Sequence, residues 1–189
     1  MYPVMLDVTG RSCLVVGAGP VGARKTLGLL DEGAIVTVVA PIVHPTVVAV
    51  ADRLTIKRRG YETSDLDEQW LVIAATADPV LQQRIYDEAN TRRLWANCAD
   101  EPDRCAFYLP AVVRRGPVVV SVSTSGSAPS LAQWLRDRLA GALPDDVESL
   151  ARALSTRRAE VQARGQSTEG IDWRRVIEEL AGNAAENDR

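Results

Sequence analysis

"SCLVVGAGPVGARKTLGLLDEGAIVTVVA", residues 12–40, decides the fold. It opens on a short apolar, β-branched run and turns at three glycines. It then continues as a helical stretch to Gly33 and closes on a second unbroken apolar run. A strand covered on both faces has no polar face to alternate with, so "SCLVVG" and "AIVTVVA" predict buried parallel strands. Gly17, Gly19 and Gly22 are spaced G-x-G-x-x-G, directly after the first strand and directly opening the helix. Gly17 permits the tight turn, Gly19 lets the backbone approach a pyrophosphate, and Gly22 lets the helix pack on the strand. The helix N-terminus then faces the phosphates with free N–H groups. Three glycines alone would predict only a turn; in this strand–turn–helix setting they predict a dinucleotide site.

The alternation continues outward. "LTIKRR" (54–59) is a third, weaker strand and "WLVIAATA" (70–77) a fourth. A helix runs from about Pro79 to Arg92, and "LWANCA" (94–99) is a fifth strand. Strands separated by helices imply parallel βαβ units, so the fold class is α/β with a Rossmann-like sheet. After Pro110 the character changes. "PVVVSVSTSG" (117–126) is a further strand ending in a Ser/Thr/Gly loop, Pro129 opens a helix to about Ala142, and the chain beyond Asp145 is helical and charged. The expected division is 1–112, 113–144 and 145–189.

Composition narrows the function. The chain of 189 residues is 46% hydrophobic and 25% charged, enough to bury a real core. A net charge of −3 and an isoelectric point near 5.3 speak against a nucleic-acid footprint. "MYPVMLDVTG" has no basic segment leading into a long apolar run, so it is not read as a secretory signal, and the apolar stretches are too short to span a bilayer. Three cysteines without disulfide-like spacing fit a reducing cytoplasm.

One expected part of the nucleotide site is missing. The acid that holds a ribose hydroxyl should stand near the end of the second strand, where the sequence is "VVAPIVHP" (38–45), with no Asp or Glu and no Arg for a 2′-phosphate. Backbone groups around Ala40, Pro41 and Ile42 must do that work, and the residues leave NAD against NADP open. Thr76 ends the fourth strand on the edge where open α/β sheets place ligands; it lines the cleft or simply keeps the packing small.

The fifth strand delivers the chain to the same edge in "ANCADEPDRCAFYLPA" (96–111), which places Asn97 and Asp100 near a nicotinamide. A metal site fails on spacing, because six residues separate Cys98 from Cys105 and no second Cys or His pair exists. His44 is expected on the surface beside Pro45. A Cys98–Cys105 disulfide is not expected in a cytoplasmic protein, and both thiols are read as packing. Asp100 and Asp103 remain, and a loop carboxylate is ordinarily a turn former or cap.

The stretches "YPVMLDVTGRSCLVVGAGPVGARKTLGLLDEGAIVTVVAP", "IAAT", "NCADEPDRCAFYLPA" and "VSVSTSGSAPSLAQWLRDRL" resemble, in that order, the siroheme synthase N-terminal module. That resemblance implies a precorrin-2 dehydrogenase, in some members also a sirohydrochlorin ferrochelatase. It implies NAD as cofactor, the tetrapyrrole precorrin-2 as substrate, ferrous iron where the second activity occurs, and a homodimer formed through 113–144. The family's catalytic aspartate falls on Asp100, its cofactor contacts on the glycine turn with Pro20 and Val21, and on Pro41 and Ile42. Its pocket hydroxyl, a serine in the family, falls on Thr124 between Ser123 and Ser125. A polycarboxylate substrate needs a local basic patch, for which Arg104, Arg114 and Arg115 are the candidates. In the following helix Leu131, Trp134, Leu135 and Leu139 form one stripe, which is either a dimer face or ordinary core.

Two other functions fit the same glycine turn. One is a non-catalytic dinucleotide-sensing module, although that class usually keeps the second-strand acid. The other is a different small oxidoreductase.

Overall fold

A computed structural model describes residues 2–99 and 101–187, arranged as two compact units, 1–108 and 109–189. In the first unit the strands are β1 (Ser12–Ala18), β2 (Ile35–Val43), β3 (Thr55–Lys57), β4 (Leu71–Ala74) and β5 (Trp95–Cys98). Among the described residues they form one five-stranded sheet of order β3-β2-β1-β4-β5, parallel at every pairing. That order reverses direction between β1 and β4, the switch point at which doubly wound sheets open a ligand crevice.

The continuous apolar runs explain the parallel sheet. Leu14, Val15, Val38, Val39, Val72 and Ile73 are buried. The sheet parts the core in two: Cys13, Val15, Val36 and Val38 pack on one side with helix α1 (Pro20–Asp31), and Leu14, Val16, Val72 and Ala74 on the other with helix α3 (Pro79–Thr91). Truncating Leu14 or Ile73 to alanine would cost about 2–5 kcal/mol. Asp78 caps α3 by accepting from the N–H groups of Val80 and Leu81, and Pro79 follows at the first helical position.

The second strand runs three residues past its expected end. β1 pairs with β2 in register to Val16↔Val39, and pairing resumes at Ala18↔Val43. Gly17 thus stands opposite three residues, Ala40, Pro41 and Ile42, which bulge out of the ladder. A proline has no N–H to give a ladder, and a bulge is one of the few places a sheet accepts it. His44 closes this segment: it is half-buried and its Nδ1 accepts from the Thr46 N–H at 3.3 Å, capping the short helix α2 (Pro45–Val48).

In the second unit β6 (Ala111–Arg115) and β7 (Val118–Val122) make an antiparallel hairpin closed by Gly116 and Pro117. β6 was not foreseen. Gly116 adopts φ +53°, and a side chain there would strike Glu148. Helix α4 (Pro129–Ala142) packs on the hairpin, and α5 (Val147–Ala163) packs on β7 and α6 (Trp173–Asn187). No helix among the described residues is long and apolar enough to cross a membrane.

Candidate dinucleotide and active site

The glycine turn has the strand–turn–helix geometry its spacing implies, and the structure separates the three glycines by what a side chain would meet at each. Gly17 has φ +96°, and a Cβ there would collide with the Ala75 carbonyl and sit 2.9 Å from the Thr76 nitrogen. Only glycine lets β1 turn against the end of β4. A Cβ on Gly22 would run into the Gly17 carbonyl, so this glycine lets α1 close on the turn. Gly19 differs: its Cβ position meets nothing within 4 Å, so its openness faces the cleft and not the core.

Gly19 is also the N-cap of α1, its carbonyl accepting from the Ala23 N–H at 2.8 Å. No side chain caps this helix, its first turn carries no acid, and Pro20 occupies the first position without an N–H. The donors that follow are left for a ligand, and no acid in the helix's own first turn contests the positive end of its dipole.

A cleft of about 590 Å³ opens there. It is lined by Gly17, Gly19, Pro20 and Val21 from the turn, by the bulged Ala40, Pro41 and Ile42, and by Thr76 and Ala99 from the ends of β4 and β5. Eight residues expected from sequence therefore come together, with Ala99 added to them and no acid or base among them on the ribose side. Ile42 is 85% exposed, so the bulge presents an apolar side chain beside its backbone groups. This donor set suits a dinucleotide held by backbone N–H groups and apolar contact.

Asn97 is placed differently. It is buried, and its Nδ2 donates to the Phe107 carbonyl at 2.8 Å and to the Cys105 sulfur at 3.3 Å. It braces the loop after β5 and does not line the cleft. That loop doubles back: Cys105 forms an antiparallel bridge with Asn97, and its thiol donates to the carbonyls of Cys98 and Glu101 at 3.2 and 3.3 Å. Cys98 is buried, and burial pushes its thiol up to about 11, which suits packing and not reactivity. Asp103 is exposed in the short Pro102–Arg104 turn. Asp100 lies outside the described residues; its neighbour Ala99 lines the cleft, and the Glu101 N–H bonds the Cys98 carbonyl at 3.3 Å.

Arg104 lines a second groove, with Pro79, Val80, Gln83 and Arg84 of α3, and its Nη1 is buried without a hydrogen-bond partner among the described residues. Arg114, Arg115 and Thr124 belong to the second unit. Both arginines are exposed on β6, while the Thr124 hydroxyl accepts from the Ala128 N–H at 3.1 Å ahead of α4. Two residues were not singled out from sequence. Lys25, on the inner part of α1, is half-buried and close enough to Cys105 to draw its thiol down against the larger upward push of burial. Its only sequence signal is a basic residue three positions after Gly22. Gln82 is the other: a buried amide on α3, in a position that sequence marks only as polar.

An uncapped helix N-terminus behind a glycine turn, at the switch point of a 3-2-1-4-5 parallel sheet, defines a dinucleotide-binding Rossmann domain. The comparisons agree. The model of the family described as "Putative NAD(P)-binding" matches residues 4–111, and the chain belongs to that family. It is similar to the siroheme synthase of Thioalkalivibrio sulfidiphilus, 39% identical over 181 residues, 94% of this chain and 37% of that protein. It is also similar to the siroheme synthase of Pseudoalteromonas atlantica, 38% identical over 189 residues, 98% of this chain and 40% of that protein. The resemblance to siroheme synthases drawn from the loops is thereby borne out, although the chain spans well under half the length of these relatives. Among solved structures it is similar to "SirC, precorrin-2 dehydrogenase", with a TM-score of 0.72 at 28% identity, covering 97% of this chain and 88% of that one.

Proposed function

We propose that this chain is an NAD-dependent precorrin-2 dehydrogenase that yields sirohydrochlorin. One observation carries the reading. The fold of a precorrin-2 dehydrogenase is matched over nearly the whole of both chains, including the part beyond the nucleotide domain, where a bare sensing module would have no reason to agree. NAD, once bound, supplies the hydride acceptor. The chain's own part is to hold the pyrophosphate at the α1 N-terminus, orient the cofactor between the β2 bulge and the ends of β4 and β5, and manage a proton. Precorrin-2 gives up a hydride and a proton in becoming the aromatised sirohydrochlorin, and Asp100 is the group proposed to take the proton or orient the ring. Arg104, Arg114, Arg115 and Thr124 are proposed to meet the substrate's carboxylates, as charge-assisted and hydroxyl donors. All three cysteines are free thiols, in keeping with a cytoplasmic enzyme.

NAD is expected to be preferred over NADP. The bulge Ala40–Ile42 offers no cation to a 2′-phosphate, so the extra charge gains nothing there. Steady-state kinetics with precorrin-2 and each cofactor should give the higher kcat/KM with NAD; an equal or better value with NADP would count against this reading of the cleft.

A homodimer is proposed through α4. Leu131, Trp134 and Leu139 of the stripe are 48%, 54% and 42% exposed in the single chain and Leu135 is half-buried, which supports a dimer face over ordinary core. A contiguous apolar face of that kind favours a partner surface. Light scattering at micromolar concentration should report about twice the 20.5 kDa chain mass, and a clean monomer would remove the dimer from the account.

A further inference from the structure

Gln82 lies in the first turn of α3, 6% exposed, beneath the ends of β4 and β5. The ladder between those strands runs from Leu71↔Trp95 to Ala74↔Cys98 and stops there. Beyond it the Ala99 N–H still reaches the Ala74 carbonyl at 2.9 Å. Thr76 and Ala99 line the cleft past the last paired residues, with no ladder pair joining Thr76 to the β5 side. The Gln82 side chain takes over. Its Nε2 donates to the Thr76 carbonyl at 2.6 Å and to the Ala99 carbonyl at 3.4 Å, one donor group bridging the two loops. Its backbone carbonyl receives the Cys98 thiol at 3.7 Å, which fixes the same turn of helix to β5.

Stability does not explain this choice of residue. The Gln82 Oε1 is buried without a hydrogen-bond partner among the described residues, and a buried orphan acceptor is a standing cost. Its helix neighbours on the inward face, Ile85 and Ala89, are apolar, as a position selected for packing alone would be. The amide orientation is settled by its surroundings, since both groups facing Nε2 are carbonyl acceptors. We propose that Gln82 is a positioning residue that holds Thr76 and Ala99 at the spacing the nicotinamide half of the cofactor requires. The proposal rests on the cleft being the NAD site.

Gln82→Met tests it. Methionine keeps the length and apolar bulk of the side chain and removes both donors. The lost hydrogen bonds and the relieved orphan oxygen offset one another in the fold, so the melting temperature should stay within a few degrees. Calorimetry is run with NAD and, separately, with ADP, which engages the glycine turn but carries no nicotinamide. The expected result is a Kd for NAD weakened by about 10-fold, the cost of ordering the two loops on binding once nothing sets their spacing beforehand, with the Kd for ADP unchanged. Equal weakening of both ligands, or of neither, would overturn the proposal. Wild-type protein that binds ADP or NAD nowhere near this cleft would instead refute the site itself.

Gln82→Glu provides a second reading should the Met variant fail to fold. Its carboxylate would face two carbonyls, and only the protonated acid can donate to them. The NAD-to-ADP affinity ratio should therefore recover as pH is lowered from about 8 to about 6, helped by the upward push of burial on the acid. A ratio that stays flat relative to wild type would overturn the assignment.

Discussion

Gly19→Asp is expected to fold normally and to lose NAD binding by about 100-fold or more, the loss of two charge-assisted hydrogen bonds to phosphate. The structure makes the separation of folding from binding specific to this glycine. Gly19 has φ −71°, which any residue adopts, and open space where its Cβ would stand. An aspartate at the N-cap of α1 is a favoured capping residue, so the helix gains if anything. The same carboxylate would occupy the N–H groups left for the pyrophosphate and repel its charge. Gly17→Ala, by contrast, forces a side chain into a φ of +96° against the Ala75 carbonyl and should damage the fold itself. Calorimetry with NAD on Gly19→Asp, alongside its melting curve, checks the prediction; unchanged affinity would sink the reading of the glycine turn.

Asp100→Ala is expected to bind NAD with near-wild-type affinity while losing dehydrogenation by about 10²–10⁴-fold, the usual contribution of a positioned acid–base group. The cofactor is proposed to be held by the glycine turn and the β2 bulge, neither of which includes Asp100, so binding and turnover should part company. Asp103→Ala and Cys98→Ala set the scale: the first removes an exposed turn residue and the second a buried packing thiol, and both should retain most activity. Asp100→Asn keeps the shape but cannot accept a proton as a carboxylate does. Near-full activity in the Asn variant would leave Asp100 orienting substrate, with the proton passing elsewhere. Full activity in the Ala variant would return the whole loop to a structural role.

Much of the nucleotide domain was legible because its signals are local. Gly17, Gly19 and Gly22 carry their backbone requirements in their spacing, and the runs through Val15, Val38 and Val72 announce strands buried on both faces. The β2 extension was not legible. "API" looks like the end of a strand, and only the pairing of Ala18 with Val43 reveals the bulge that puts Ala40, Pro41 and Ile42 in the cleft. β6 was missed for a related reason: "AVVRR" is short, half-exposed and ends in two charges, so its partner and not its own pattern makes it a strand.

The site was legible where side chains are absent from the chemistry and obscure where they act at a distance. Asn97 sits on the expected strand, yet its amide turns to Phe107 and Cys105, a direction set by the fold-back of the β5 loop. Gln82 carries no signal in sequence, because a polar residue in the first turn of a helix is ordinarily solvated. Its role depends on two carbonyls contributed by separate strands.

The most direct measurement is a turnover assay: the protein is incubated with precorrin-2 and NAD, and sirohydrochlorin and NADH are followed together by their absorbance. A dehydrogenase of this kind should form the two products in equal amounts, at a rate that collapses in Asp100→Ala while NAD binding persists. Tight NAD binding without any sirohydrochlorin from the wild-type protein would contradict the account and leave a dinucleotide-sensing module in its place.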